Sequence, residues 1–210
     1  MEKLVIIGAG GYSKSVLDSV DIYNFEMCGF IDEFSESDTH LGYPIIAKKL
    51  EQLENPNNYV YFIAIGNNMR RKVWYDRLRS LGLRLVNIVD RSAIISPRAK
   101  IGIGCFVGKF AVVNSCAVLG DNCVVNTRAL VEHGATIGSH VNISTNASIN
   151  GDVRVNDGCF IGSCSVIIGQ LTIDEWSTVG AGAVVIRNVE KNVTVAGVPA
   201  KKIKEGAMLG

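Results

Sequence analysis

Of the three histidines in this 210-residue chain, His133 stands where most chemistry gathers, in Asn126-Thr127-Arg128-Ala129-Leu130-Val131-Glu132-His133. An imidazole that titrates near neutrality can take a proton from an amine or a hydroxyl as it attacks. A lone histidine is more often a surface or packed residue, so its surroundings must decide. His140 and Asn142 follow as further candidates, whereas His40 falls in a polar loop. A second cluster opens the chain as Gly8-Ala9-Gly10-Gly11-Tyr12-Ser13, one residue short of a GxGxxG turn, with Ser13 in place of the third glycine. Amides at a helix N-terminus bind phosphate, Lys14 adds charge, and Asp32 is spaced like an acid that takes a ribose hydroxyl. A tight strand–helix turn without any ligand has the same sequence.

The elements that position His133 are written in a period of six. From Ile95 through Ile101, Val107 and Val113 to Val185, an aliphatic residue falls at every sixth position without a slip. Such a period is the signature of a parallel β-helix. Two residues before most of these aliphatics stands a small side chain, such as Ala99, Cys105, Ala117 or Ala135. Residues i and i−2 of a strand share a face, so both columns point inward. Gly, Asn or Asp follows the aliphatic at positions such as Gly102, Asn114 and Gly162, which suggests a bend with positive φ there. Three hexads close one triangular coil and stack Val113, Val131, Ile149 and Ile167. About five coils at the spacing of paired strands give a prism about 25 Å tall. The uninterrupted period leaves no long loop and no cavity inside the prism, so a site must form where prisms meet.

Composition narrows the classes. The net charge is +1, with no basic stripe for nucleic acid. The early apolar run Leu4–Ile7 is too short for a signal peptide or a membrane span. A soluble, cytoplasmic protein without membrane or nucleic-acid partners is expected. Three of the six cysteines, Cys105, Cys123 and Cys159, occupy the small inward column as apolar fillers, and reduced thiols are expected. No Cys or His spacing suits a metal, so none is expected.

Residues 1–90 alternate strands and helices and predict a small Rossmann-like parallel sheet. Strands are expected at Leu4–Ile7, Met27–Ile31 and Tyr59–Ile65, and helices at Ser13–Val20, Ala47–Leu53 and from Asn67 or Asn68 to Leu81. Residues 91–210 form the prism and a short tail. The fold class is therefore α/β plus all-β. The first domain holds barely one mononucleotide half, which favours a nucleoside diphosphate over NAD and sets an NAD-dependent oxidoreductase aside.

The segments LVIIGAGGYSKSV, GFIDE, AIGNN, NTRALVEH, GAGAVV and GVPAKKI together resemble one family over essentially the whole chain. It is the hexapeptide-repeat sugar O- and N-acetyltransferase family, with sialic acid O-acetyltransferases and bacillosamine N-acetyltransferases among its members. The resemblance implies a left-handed β-helix, a homotrimer, and direct transfer from acetyl-CoA to a sugar. It implies His133 as general base, with Asn126 lining the same site between subunits, and Glu132 beside the histidine is a further catalytic candidate. Acetyl-CoA is expected along the prism near Asn142, Gly151, Gly162, Gly180, Ala181, Gly182 and Lys201. A nucleotide sugar is expected near Gly8, Gly10, Gly11, Tyr12, Asp32 and Asn67.

Three positions depart from the family. Gly134 replaces an acid that orients the histidine, Asn142 replaces a second histidine, and Tyr12 replaces a histidine of the glycine turn. Glu132 is not expected to stand in for the lost acid within its own chain, because neighbouring strand residues face opposite ways. A poorly oriented base suits an amine better than a hydroxyl. The expected activity is therefore acetylation of the 4-amino group of a UDP- or dTDP-linked sugar for surface-glycan synthesis, with O-acetylation of sialic acid as the alternative.

Overall fold

The computed structural model describes residues 1–206. The last four residues of the predicted second domain therefore lie outside the described part.

The small domain is a six-stranded sheet. Its strands are β1 (Glu2–Ile7), β2 (Phe25–Ile31), β3 (Thr39–His40), β4 (Tyr43–Ala47), β5 (Val60–Ile63) and β6 (Arg84–Leu85), in the order β3-β4-β2-β1-β5-β6. All pairs are parallel except β3–β4. Helix α1 (Gly11–Asp18) follows β1, and α2 (Asn68–Ser80) follows β5. Asn67 caps α2 by accepting the Arg70 amide at 2.9 Å.

Strand β4 occupies sequence where no strand was expected. Leu41 and Gly42 both have positive φ (51° and 81°) and close a two-residue hairpin. Leu-Gly lacks the Asn-Gly signature of such turns, so the hairpin was hidden. The helix expected over Ala47–Leu53 shrinks to one 3-10 turn at Leu50–Gln52, because Ala47 already ends a strand.

The prism is a left-handed parallel β-helix of two-residue strands spaced six apart. Val113, Val131, Ile149 and Ile167 stack in register as the period requires. Its first face runs from Ile88–Val89 to Thr178–Val179 and continues through Val193–Ala196 and Lys201–Glu205. The second face runs from Ile94–Ile95 to Val184–Val185, and the third from Lys100–Ile101 to Thr172–Ile173. Inward aliphatics from Val107 to Val185 are at most 2% exposed, and the small column fills the space between them.

The corner chemistry differs from expectation. Positive φ falls three residues after the inward aliphatic, at Phe110, Arg128 and Trp176 among others, and not one residue after it. At Gly120 and Gly162, directly after the aliphatic, close packing favours glycine instead. An added Cβ would lie 2.8 Å and 2.6 Å from the next coil's backbone.

The small domain sits on the first face. Phe106 and Val124 point outward there and join Leu4, Ile6, Val16 and Phe30 in one apolar cluster. Beside it lies a polar clasp centred on Arg71, which is 1% exposed. Its guanidinium donates to the carbonyls of Ile65, Gly66, Asn122 and His140 and to the Asn68 side chain, all within 3.2 Å. Asn68 itself donates to the Gly158 and Cys159 carbonyls. A buried cation with every donor answered fixes α2 against one corner of the prism.

Candidate active site

His133 follows the two-residue strand Leu130–Val131 and stands at the corner between the second and third faces, 66% exposed. Its Nδ1 lies 3.0 Å from Oε2 of Glu132 in the same chain. The same oxygen accepts the His133 amide at 3.0 Å and the Asn114 side-chain amide at 3.1 Å. The His133 amide first, and then its ring, hold the Glu132 carboxyl below the usual carboxylate range. An ionised Glu132 selects the tautomer with the proton on Nδ1, so in the neutral ring the lone pair is on Nε2. The ring lies against Gly151 one coil on, where an added Cβ would come 2.7 Å from Nε2.

This corrects the expectation for Glu132. The alternation rule applies within a strand, and the strand ends at Val131. Glu132 and His133 belong to the corner, where the chain turns and both side chains can meet. Gly134 serves the backbone instead, since at φ 67° it is the left-handed residue of this corner.

The other expected partners are dispersed. Asn126, Gly162, Gly180, Ala181 and Gly182 line the corner between the first and second faces, so they and His133 flank the second face from opposite edges. Asn126 Oδ1 accepts the Thr127 amide. Asn142 sits on the first face, 8% exposed, and accepts from the Ser144 hydroxyl. One chain therefore brings neither asparagine to His133. His140 is a corner residue of the clasp, with Nδ1 accepting from Asn122 and its ring edge-on to Tyr75 at 5.1 Å. Lys201 is exposed on the last strand, while its neighbour Lys202 pairs with Glu205 and Glu190.

A cavity of about 660 Å³ opens at the carboxyl ends of β1, β2 and β5, the crevice where such sheets take ligands. Gly8, Gly10, Gly11, Tyr12 and Asp32 line it. Gly8 has φ 99°, and a Cβ there would meet the Ala64 carbonyl at 2.9 Å. The buried Ser13 hydroxyl donates to the Gly10 carbonyl at 2.7 Å and lies 2.9 Å from His40 Nε2, so the loop histidine braces the turn. Tyr12 packs edge-on against Phe106, and burial raises its phenol far above the ordinary value. Asn67 serves the cap of α2, and its neighbours Gly66 and Met69 reach the cavity instead. Sequence reading missed the apolar wall of Phe34, Met69, Val73 and Trp74. It comes from a loop and a helix face that meet only in the fold.

Among the described residues, no group of three or more His, Cys, Asp or Glu side chains could hold a metal ion. No helix there is long and apolar enough to cross a membrane.

Comparison with known proteins agrees with this fold. Residues 3–78 match the family described as PglD N-terminal domain. The acetyltransferase domain of PglB from Neisseria gonorrhoeae FA1090 superposes with a TM-score of 0.92 at 33% identity, covering 97% of this chain and 100% of that one. The same domain in complex with acetyl coenzyme A gives 0.89 at 33% identity, over 96% and 99%. PerB from Caulobacter crescentus, in complex with CoA and GDP-perosamine, gives 0.89 at 31% identity, over 95% and 96%. A histidine-to-asparagine mutant of perosamine N-acetyltransferase from the same organism, bound to the same two ligands, gives 0.90 at 30% identity, over 96% and 97%. The fold and these relatives together define a left-handed β-helix acetyltransferase. The chain belongs to the hexapeptide-repeat family of sugar acetyltransferases.

Proposed function

We propose that this protein transfers the acetyl group of acetyl-CoA to the 4-amino group of a nucleotide-linked amino sugar, with His133 as general base. The carrying observation is the Glu132–His133 pair, which leaves Nε2 free beside Gly151. The amine attacks the thioester carbonyl, Nε2 takes the proton it sheds, and the CoA thiolate departs. Backbone amides of the facing corner stabilise the oxyanion. No cysteine is needed as a nucleophile.

The second face supports a homotrimer. Its outward residues Ile94, Val112, Leu130, Val166 and Val184 are apolar, with Ser148 the exception. Three such faces turned toward a threefold axis would set the His133 edge of one copy against the neighbour's Asn126–Gly162–Gly180 edge. The dispersed residues would then form one site, with acetyl-CoA lying in the side-chain-poor groove past Gly151 and Gly169 on one side and Gly162 to Gly182 on the other. Lys201 would meet the CoA phosphates. The nucleotide would occupy the 660 Å³ cavity, its diphosphate on the glycine turn.

With Glu132 in place, the weakness of the base no longer separates an amine from a hydroxyl. The N-acetyl reading rests on similarity to a perosamine N-acetyltransferase, whose substrate carries an amine. We place the reaction in the cytoplasm, in surface-glycan synthesis, where the six free cysteines stay reduced. The test is acetyl-CoA with a panel of nucleotide-linked 4-amino sugars and with sialic acid, followed by mass spectrometry. Acetylation of an amino-sugar nucleotide is expected, with His133→Ala slower by about 10²-fold or more. Acetylation of sialic acid alone would reverse the assignment to O-transfer. A folded His133→Ala protein with full turnover would remove the base.

A further inference from the structure

The spacing of the sequence gives the ribose to Asp32, yet that carboxylate is already engaged. Its Oδ2 accepts the Ala9 amide at 2.6 Å, and its Oδ1 accepts the Phe34 and Ser35 amides at 2.8 Å and 3.0 Å. Asp32 thus ties the glycine turn to the loop after β2, and three of its roughly four acceptor sites hold the walls of the cavity together.

The next residue is in a different state. Glu33 is exposed and lines both the 660 Å³ cavity and an adjoining one of about 490 Å³. It makes no hydrogen bond or ion pair among the described residues; of the cations lining the same two cavities, Lys48 and Arg77 are used elsewhere, while Lys49 and Arg70 line them without an ion pair. Lys48 donates to the Ser35 carbonyl, and Arg77 pairs with Glu51 while stacking on Trp74. Glu33 is therefore an open double acceptor just past the carboxyl end of β2, where parallel sheets present an acid to a ribose. The apolar wall of Phe34, Met69 and Val73 beside it offers a surface for a base.

We infer that Glu33 accepts the ribose hydroxyls, and that the protein is selective for a ribonucleoside diphosphate sugar over a 2′-deoxyribonucleoside one. The inference rests on the nucleotide-sugar reading of the cavity. A ribose offers the carboxylate two adjacent hydroxyl donors, and a deoxyribose offers one. A site built to bond a hydroxyl discriminates against the analogue that lacks it. At an exposed carboxylate the loss is about tenfold in affinity.

The test is calorimetric titration of the full chain with UDP, GDP, their 2′-deoxy counterparts dUDP and dGDP, and dTDP. Each ribo/deoxy pair differs only in the 2′-hydroxyl. Wild-type protein is expected to favour the ribo form of the base it accepts by about tenfold, and Glu33→Ala to reduce that preference to less than threefold. Asp32→Asn is expected to lower Tm and to weaken ribo and deoxy forms alike. Equal affinity for both members of the pair in wild type, or discrimination that survives in Glu33→Ala, overturns the role of Glu33 and leaves the nucleotide site standing. Wild-type protein that binds none of the five overturns the nucleotide site itself.

Discussion

An imidazole that is 66% exposed at a prism corner would sample several rotamers if nothing held it. Two neighbours restrict His133: Glu132 holds Nδ1, and the bare backbone of Gly151 receives the ring. Asn114 steadies Glu132 from the preceding coil. Glu132→Gln keeps the size of the side chain and removes its charge, so it no longer selects the tautomer with Nε2 free. A fall in kcat of about 10–100-fold is expected, with the KM for acetyl-CoA little changed. Gly151→Ala should lower kcat comparably by displacing the ring, with Tm within a few degrees of wild type. Steady-state kinetics and a thermal melt check both, and a Gly151→Ala enzyme at full rate would remove the glycine from the argument. His133 was legible from its segment. Glu132 was misread because period-two reasoning was carried past the last strand residue.

At the scale of elements, the contact between α2 and the prism corner sets where the cavity stands relative to the β-helix. His140 lies inside that contact, 6% exposed, and faces Lys72, Arg71, Asp76, Asp157 and the Tyr75 ring. Burial first, then the two cations, lower its pKa from 6.5. A histidine with a lowered folded pKa is neutral in both states above 6.5. Below that value the unfolded chain binds the proton more readily, so stability falls as pH drops through the folded pKa. Wild-type Tm should therefore decline from about pH 6.5 downward. His140→Gln, whose amide oxygen can still accept from Asn122, should show a shallower decline. Melts between pH 5 and 8 check this, and parallel curves would place the pH dependence elsewhere. The helix α2 and its Asn cap were readable from sequence. The five acceptors around Arg71 were not, since they come from two chain regions far apart in sequence.

For the molecule as a whole, the first face is covered by the small domain, and the third carries Lys100, Thr136 and Arg154 outward. The second face is left with an apolar surface from Ile94 to Val184 that a monomer would expose to water. Leu130→Glu places a charge in the middle of that face. Sedimentation velocity should report a trimer for wild type and a monomer for the variant, with activity lost alongside assembly and the fold retained by circular dichroism. A Leu130→Glu protein that stays assembled and active would move the interface to another face.

The six-residue period alone determined the β-helix, its inward columns and the stacking register, because a repeat imposes the same local geometry at every coil. Residue type and short spacing marked the glycine turn and His133. Only the tertiary structure decided which residues stand together. It gave Glu132 to His133, spent Asp32 on three backbone amides while leaving Glu33 open, and put Asn126 and His133 on opposite edges of one face. The physical reason is common to all three. Corner and loop side chains follow no periodicity, and their partners are chosen by folded contacts that short spacing in sequence does not encode.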